Sequence, residues 1–487
     1  MEMRIVWVTL LTTTAAAAVT FTIPSQSGTG GYKYSPVDPA PVGISFEFFA
    51  FPSYFTNVTA TQQCLANWRD LTGACPPIRI GGTTQDRALY DAASSAYVRY
   101  SVADPRDAPM SLTYGPRFLA LAGQYGGSVV VGLNRGRNQL SNTIEAAKRA
   151  VAEVGDRLLA IELGNEPEYY DRAPVQPIAR NGWSPDLDAA SQNEWHLAVG
   201  RANGSDKMPL MQAGNWNDSP PKWGAAQLIA KQNASVKAQV RTYAHHNYPG
   251  GSVSGLLSHA GTSANVRSRF EADVAAVLRD GKPYVLGETN SVSGGGAAGV
   301  SPTFGAALWT MDYVLRAVYT GISRIYFHHG TVGNCQYCFW GRYSMGAPYY
   351  GATAATAFLA RAGTMTALDD GNGPYAAYAS FDASGAPLRL LLFNSDYYET
   401  GSRSAQPFVL RGPPAGKAAV RAKRLTAAAG ALARQDRGQA PTLGGRTFTD
   451  GTCVPAGGDV IEEVPVSAGG EATVSVGATE AVLVYLQ

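Results

Sequence analysis

The sequence predicts an α/β chain: a (β/α)8 TIM barrel with a C-terminal antiparallel β-sandwich domain. Three observations carry that prediction. Between about Ile44 and Gly363, short apolar runs alternate with stretches whose apolar residues recur at helical spacing, the pattern of repeated βα units. After Gly363 the helical spacing stops, and strand-like runs separated by Gly, Pro and Ser clusters take over. No glycine-rich dinucleotide or phosphate loop follows the first strand, which sets aside the rival open, doubly wound sheet.

Taken in order, the chain opens MEMRIVWVTLLTTTAAAAVTFTIPS, with Arg4 ahead of an apolar run and small residues at Ala15 to Ala18. That is the plan of a signal peptide over residues 1–18, and the apolar run is shorter than the ~20 residues of a bilayer span. The expectation is a secreted, extracellular protein with no membrane partner. VTFTIPSQ then alternates and is expected to add a strand to the sandwich, so residues 19–39 are assigned with 364–487 to the sandwich domain, and 40–363 to the barrel. The eight barrel strands are read in ISFEF, PPIRIGG, SVVVGLN, LLAIELGN, PLMQAGN, VRTYAHHNY, PYVLGE and RIYFHHG. Helices are read in NTIEAAKRAVAEVG, ANVRSRFEADVAAVLRDG and FGAALWTMDYVLRAVYTG. Eight units over roughly 320 residues give about 40 per unit, which leaves room for loops that build a site. The sandwich strands follow in YAAYASFD, LRLLLFNSD, KAAVRAKRL, EATVSVG and AVLVYLQ, and the glycine-rich segment from Gly430 to Asp459 reads as a surface loop.

Lysine plus arginine (39) nearly balance aspartate plus glutamate (37), and no long basic run occurs, so nucleic acid is excluded as a partner. The five cysteines, Cys64, Cys75, Cys335, Cys338 and Cys453, suit an oxidising compartment; no histidine stands at ligand spacing beside the CQYC pair. Cys64 with Cys75 is the simplest disulfide to draw. Sequons at Asn57, Asn203, Asn217 and Asn233 fit secretion.

In such a barrel the site forms at the C-terminal ends of the strands. Polar residues stand at those ends: Glu47, Asn134, Asn165 with Glu166, His245 with His246 and Tyr248, Glu288, and His328 with His329. Glu166 ends the fourth strand and Glu288 the seventh, so they face each other. A pair of carboxylates across a cleft suits glycoside hydrolysis, in which one protonates the leaving oxygen and the other attacks the anomeric carbon or activates water. Either alone would read as a helix N-terminal cap. Strand alternation puts Glu162 on the face of Glu166 but deeper, as a buried, partnered acid, and leaves Glu168 on the loop. Adjacent histidines point to opposite faces, so no metal site is expected at His245, His246, His328 and His329.

Several motifs carry a resemblance. IRIGGTTQD (Ile78 to Asp86) is similar to LRFGGTKTD of heparanase, VVVGLN (Val129 to Asn134) to IFGLN, AHHNY (Ala244 to Tyr248) to WHHYY, and LGETNSVSGGG (Leu286 to Gly296) to LGETSSAYGGG. With Asn-Glu-Pro after the fourth strand, the chain resembles glycoside hydrolase family 79 of the clan A glycosidases, which holds heparanase and the fungal and bacterial β-glucuronidases. The resemblance implies a retaining mechanism with Glu288 as nucleophile, Glu166 as acid/base, no cofactor, and carboxylates ~5–5.5 Å apart. It implies Asn165 on the sugar 2-hydroxyl, and Tyr248 either holding Glu288 or only packing. Glu47 is a sugar-hydroxyl partner or a rim acid paired with Arg79; Asn134 and Asp86 rank beside it. For a sugar carboxylate the candidates are His328, His329, the amides of Gly330 and Thr331, and Tyr337, while Ser293 stands where heparanase and its bacterial relatives have a tyrosine. The expected substrate is a glycan bearing terminal β-linked glucuronic acid or its 4-O-methyl form, from plant or proteoglycan sources. Endo cleavage is the alternative within the family. A non-catalytic glycan binder, stacking sugars on Tyr337, Phe339 and Trp340, is the alternative outside it.

Overall fold

The computed structural model describes residues 17–204, 209–218, 223–412 and 417–487, so the expected leader lies outside the described residues apart from Ala17 and Ala18. Eight parallel strands close into a barrel. They are β1 Val42–Glu47, β2 Ile78–Gly81, β3 Val129–Leu133, β4 Leu158–Leu163, β5 Met211–Trp216, β6 Val240–Asn247, β7 Tyr284–Thr289 and β8 Ile322–His329. The ring closes where Ile325–His329 of β8 lie beside Val42–Phe46 of β1. These strands have no solvent face, since helices cover one side and the lumen fills the other; that is why runs such as VVVGL are continuously apolar.

Val130, Ala244, Val285 and Tyr326 form a small apolar cluster within the lumen. Two residues further along β6 and β8, alternation gives the same inward face to His246 and His328, so the lumen turns from apolar to polar in one step of the pleat. Outside, the helices His259–Arg279 and Phe304–Thr320 occupy the expected stretches. Ser258 and Thr303 cap them by accepting from Gly261 N at 3.1 Å and Ala306 N at 3.3 Å. Gly321, at φ +112°, ends the second.

The C-terminal unit packs two sheets. Val19–Thr22, Ala405–Arg411 and Glu471–Gly477 make the smaller; the larger runs through Ala419–Thr426, Glu480–Tyr485, Pro387–Asn394, Tyr375–Phe381 and Thr364–Ala367 to Ser35–Pro36. The sandwich is not wholly antiparallel, because Val19–Thr22 pairs parallel with Phe408–Arg411. In Pro387–Asn394, Leu390 and Leu392 point into the sandwich core while Leu391 and Phe393 belong to the core shared with the barrel. One strand thus serves both cores by alternation.

Two expectations fail here. Cys64 pairs with Cys453, Cys335 with Cys338, and Cys75 is free. Cys64 sits in the helix Ala60–Thr72 and faces Met345, whereas Gly73, at φ +81°, turns the chain so that Cys75 lands against Gly126 and Gly127. The segment 430–459 is no free surface loop: Ala431, Ala433, Phe448 and Cys453 are buried, and Tyr350 Oη donates to Gln435 Oε1 at 2.8 Å.

At the junction of the two units His259 bridges two acids, with Nδ1 2.9 Å from Asp312 Oδ2 and Nε2 3.0 Å from Asp369 Oδ1. Burial works against its charge, but Asp312 and Asp369 outweigh it and push its pKa up to about 9. A value raised above the ordinary 6.5 means that the stabilisation is complete below about pH 6.5 and is lost as pH rises through about 9. Unfolding midpoints of the wild type and His259→Gln are therefore expected to differ at neutral pH and to converge above about pH 9. A gap that does not change with pH would mean that His259 acts by packing alone.

Candidate active site

At the C-terminal ends of the strands lies a cleft of 380 Å³. Its base is organised by Arg79 of β2, which is fully buried and uses all five of its N–H donors. Nε and Nη2 donate to Glu162 of β4 at 2.9 and 2.5 Å, Nη1 to Glu288 Oε2 of β7 at 2.6 Å and to Ser45 Oγ of β1 at 2.9 Å, and Nη2 also to Asn165 Oδ1 at 2.9 Å. Burial opposes the guanidinium charge, and Glu162 and Glu288 more than restore it. Glu162 is the deep, partnered acid expected, and Gln212 Nε2 gives it a further bond at 2.7 Å.

Glu288 accepts from the Tyr248 hydroxyl on its other oxygen at 2.6 Å, and His328 Nδ1 lies 3.4 Å from Oε2. Burial alone would raise its pKa, but His328, Arg79 and Tyr248 outweigh it and hold the carboxyl well below the usual range. Glu166 is placed differently. It follows β4 at φ +45°, a left-handed conformation that costs a side-chain-bearing residue about 1–3 kcal/mol. Its N–H donates to Asn215 O at 2.9 Å, and Oε1 lies 3.1 Å from His246 Nδ1. Burial, then the neighbouring Glu288, pushes its pKa up to about 8. One oxygen of Glu166, one of Glu288 and a ring nitrogen of His246 all lie within 4.8 Å of one another. Near neutral pH the pair is one carboxylic acid and one carboxylate.

The remaining residues divide. Glu47, His328, Gly330, Thr331, Tyr337 and Ser293 line the cleft with Tyr248. Glu47 is not paired with Arg79: it accepts from Thr84 N at 2.9 Å and lies 3.3 Å from His328 Nε2. Asn165 faces Arg79 through its carbonyl, at the base of the cleft rather than on its wall. Asp86 has no free valence for substrate, since it accepts from Arg135 N, Gly136 N, Asn165 N and Tyr170 Oη at 2.7 to 2.9 Å.

Others lie away from the cleft. Asn134 spends its side chain on Ala88 O and Arg137 N, bracing the loop after β3. His329 points outward, as its neighbour's opposite on a strand must, accepts from Phe339 N at 3.1 Å and packs on Trp340. Phe339 and Trp340 are fully buried, so they offer no stacking platform. Glu168 does not decorate the loop; the turn Pro167–Tyr169 folds it inward, where it accepts from Asn217 N.

Sequence reasoning missed His246 as the neighbour of Glu166, Arg79 as the organiser, and Arg87 with Arg106 and Asp107 on the cleft wall. Arg79 did leave a signal: an arginine between two isoleucines in a barrel strand requires buried acids.

The glycosyl hydrolase family 79 C-terminal beta domain matches residues 375–483. A β-glucuronidase of Neurospora crassa is 30% identical over 427 residues, 75% of this chain and 74% of that protein. The chain belongs to glycoside hydrolase family 79. A β-glucuronidase of Aspergillus niger is 31% identical over 393 residues, 70% of this chain and 69% of its own. Among solved structures, a 4-O-α-L-rhamnosyl-β-D-glucuronidase from Fusarium oxysporum 12S, in complex with Rha-GlcA, is 47% identical with a TM-score of 0.91, covering 96% of this chain and all of that one. A glucanase-xylanase from a metagenome library, CelM2, shares only the fold, at 12% identity and a TM-score of 0.62 over 96% of this chain and 98% of its own. This family 79 chain is thus a glycoside hydrolase whose two glutamates are held apart in protonation by what surrounds each.

The Arg79 network makes a direct prediction for this hydrolase. Arg79→Met leaves Glu162 buried without a counter-charge and Glu288 with only His328 beside it, and is expected to cost about 3–5 kcal/mol of unfolding free energy. Arg79→Lys, which keeps the charge but loses the planar fork, should recover only part of it. Urea unfolding of the two variants measures both; a loss below about 1 kcal/mol for Arg79→Met would remove Arg79 from the centre of the site.

Proposed function

We propose that this family 79 hydrolase is a secreted, retaining β-glucuronidase acting from the non-reducing end of a glycan. The observation that carries the reading is the split pair, with Glu166 held protonated and Glu288 held ionised within 4.8 Å. That spacing is closer to the ~5–5.5 Å carboxyl separation of retaining enzymes than to the roughly 6.5–9.5 Å of inverting ones. Glu288 attacks the anomeric carbon as Glu166 gives its proton to the leaving oxygen, which forms a glycosyl-enzyme ester. Glu166, now ionised, takes a proton from water, whose oxygen displaces Glu288. The Asn165 amide holds the 2-hydroxyl, a contact that strengthens as positive charge develops at the ring.

The substrate assignment is supported by relatives named β-glucuronidases and by Arg87 on the cleft wall, a cation within reach of an anionic sugar; Arg106, on the same wall, is paired with Asp104. Arg87 donates to Pro109 O at 3.0 Å and, among the described residues, feels Glu47 and Asp86 only at longer range, with no carboxylate in direct contact. The name of the 47% identical Fusarium protein favours a second form of the same reading, in which the glucuronic acid carries a sugar at O4 and leaves with it. Secretion rests on the leader pattern and two disulfides. The N-terminal sequence of protein recovered from culture medium should begin after about residue 18.

The enzyme is expected to release nitrophenol from the aryl β-D-glucuronide in preference to the glucoside and xyloside, and Glu288→Gln should abolish turnover. Equal rates on all three glycosides would refute the uronate assignment. Full activity in Glu288→Gln would refute the nucleophile. The dependence of kcat/KM on pH should fall as pH rises through about 8, where Glu166 loses its proton. Tyr248→Phe removes a donor from ionised Glu288, so its pKa rises and the acid limb moves to higher pH while the alkaline limb stays. An unmoved acid limb would mean that another group controls it.

A further inference from the structure

Glu168 is a buried acid beside the cleft that the reaction above does not use. It stands two residues past Glu166, on the turn Pro167–Tyr169. Among the described residues only one of its oxygens is engaged: Oε1 accepts from Asn217 N, while Oε2 is buried without a partner. An ionised carboxylate buried with one oxygen bare would be strongly unfavourable, whereas the neutral acid is tolerated. Burial, then the neighbouring Glu166, accordingly hold this carboxyl well above the usual range.

Its engaged oxygen stands where a strand bond is missing. β4 and β5 run parallel, with Ile161 beside Met211 and Glu162 beside Gln212. The pairing continues past the end of β4, where Glu166 N donates to Asn215 O at 2.9 Å. In a parallel ladder the carbonyl of the same residue would then accept from the N–H two positions along the partner, that of Asn217. Here Glu166 O is turned back to accept from Tyr169 N at 3.0 Å, and Asn217 N loses that rung. Glu168 Oε1 takes its place.

Glu166 is held at φ +45°, a backbone conformation that persists only where its surroundings fix it. Asn215 fixes the entry to the turn. Glu168 fixes the exit through Asn217, which lines the cleft with Glu166 and is itself held at its carbonyl by Arg269 Nη2 at 3.2 Å. We infer that Glu168 is a positioning residue for proton donation: its side chain replaces the missing rung between the ends of β4 and β5 and so aims the Glu166 carboxyl at the leaving oxygen. This inference rests on Glu166 as the acid/base of the β-glucuronidase proposed above.

Leaving groups of different basicity separate positioning from bulk structure, because only a basic leaving oxygen needs the proton of Glu166. The full-length wild type, Glu168→Ala, Glu168→Gln and Glu166→Ala would be compared by kcat/KM on the phenyl and dinitrophenyl β-D-glucuronides. Glu168→Ala is expected to lose at least about tenfold on the phenyl glucuronide and less than about twofold on the dinitrophenyl one. Glu168→Gln keeps an uncharged acceptor for Asn217 N and should return to within about threefold of the wild type on both. Each ratio is taken on one preparation, so a partly unfolded variant does not distort it. Glu166→Ala should show the same selectivity more steeply; if it keeps the wild-type ratio, or if the wild type turns over neither glucuronide, the parent reading and the inference fall together. With that control in place, equal losses for Glu168→Ala on both substrates, no loss on either, or a Glu168→Gln as impaired as Glu168→Ala overturns the inference alone.

Discussion

One buried guanidinium sets the terms for the site. Arg79 cannot be stripped of water without acceptors for five donors, and it finds them on β1, β4, β7 and the loop after β4. The same bonds decide which glutamate is charged. Glu288 touches Arg79 and Tyr248, so its ionised form is stabilised despite burial. Glu166 touches neither and meets His246, whose pKa burial pushes down to about 4, leaving the imidazole neutral. A second negative charge beside Glu288, with no cation in contact, is unfavourable. The asymmetry between acid and nucleophile thus follows from which one reaches the fork.

Position needs a second device, because Glu166 lies beyond the last strand pairing. Asp86 provides it by accepting donors from the loop after β3, from Asn165 N and from Tyr170. The four bonds tie the third and fourth strand ends together and set the entry to the turn that carries Glu166. The left-handed backbone at Glu166 is affordable only where neighbours fix it in this way, here also through Asn215 O. Asp86 is a positioning residue, and its carboxylate is the reason that IRIGGTTQD ends as it does.

What could be read from sequence follows the reach of strand alternation. Strands buried on both faces announce themselves as apolar runs, and residues within them, such as Glu162, His328 and His329, have their facing decided by the pleat; Glu288 is the exception, since Val285 already faces the lumen and a register shift between Leu286 and Thr289 turns Glu288 inward. Past a strand end that rule lapses. Asn134 and Glu168 sit one residue and five residues beyond their strands, and tertiary bonds to Ala88 and Asn217 decide where they go. Disulfides fail for a related reason: proximity in sequence favoured Cys64 with Cys75, while the helix face of Cys64 looks toward a segment 389 residues away. Arg79 was legible as a residue needing acids, but which acids depended on closure of the barrel.

The sandwich is part of the frame of the site. The strap between its strands returns over the barrel, where Ala433 O accepts from Phe304 N at 2.9 Å, Arg434 Nη1 donates to Ala298 O at 2.5 Å, and Asp450 accepts from Met345 N at 2.7 Å. Those partners lie in the connections after β7 and β8, the same connections that supply Ser293, Thr331 and Asn334 to the cleft. Cys453 then bonds the strap to the helix after β1. Loops of this length would by themselves pay a large entropic cost on binding a sugar. Fastened by these bonds to a sheet whose other face is a hydrophobic core, they have less freedom left to lose. The C-terminal unit thus braces the connections after β7 and β8, although none of its described residues lines the catalytic cleft.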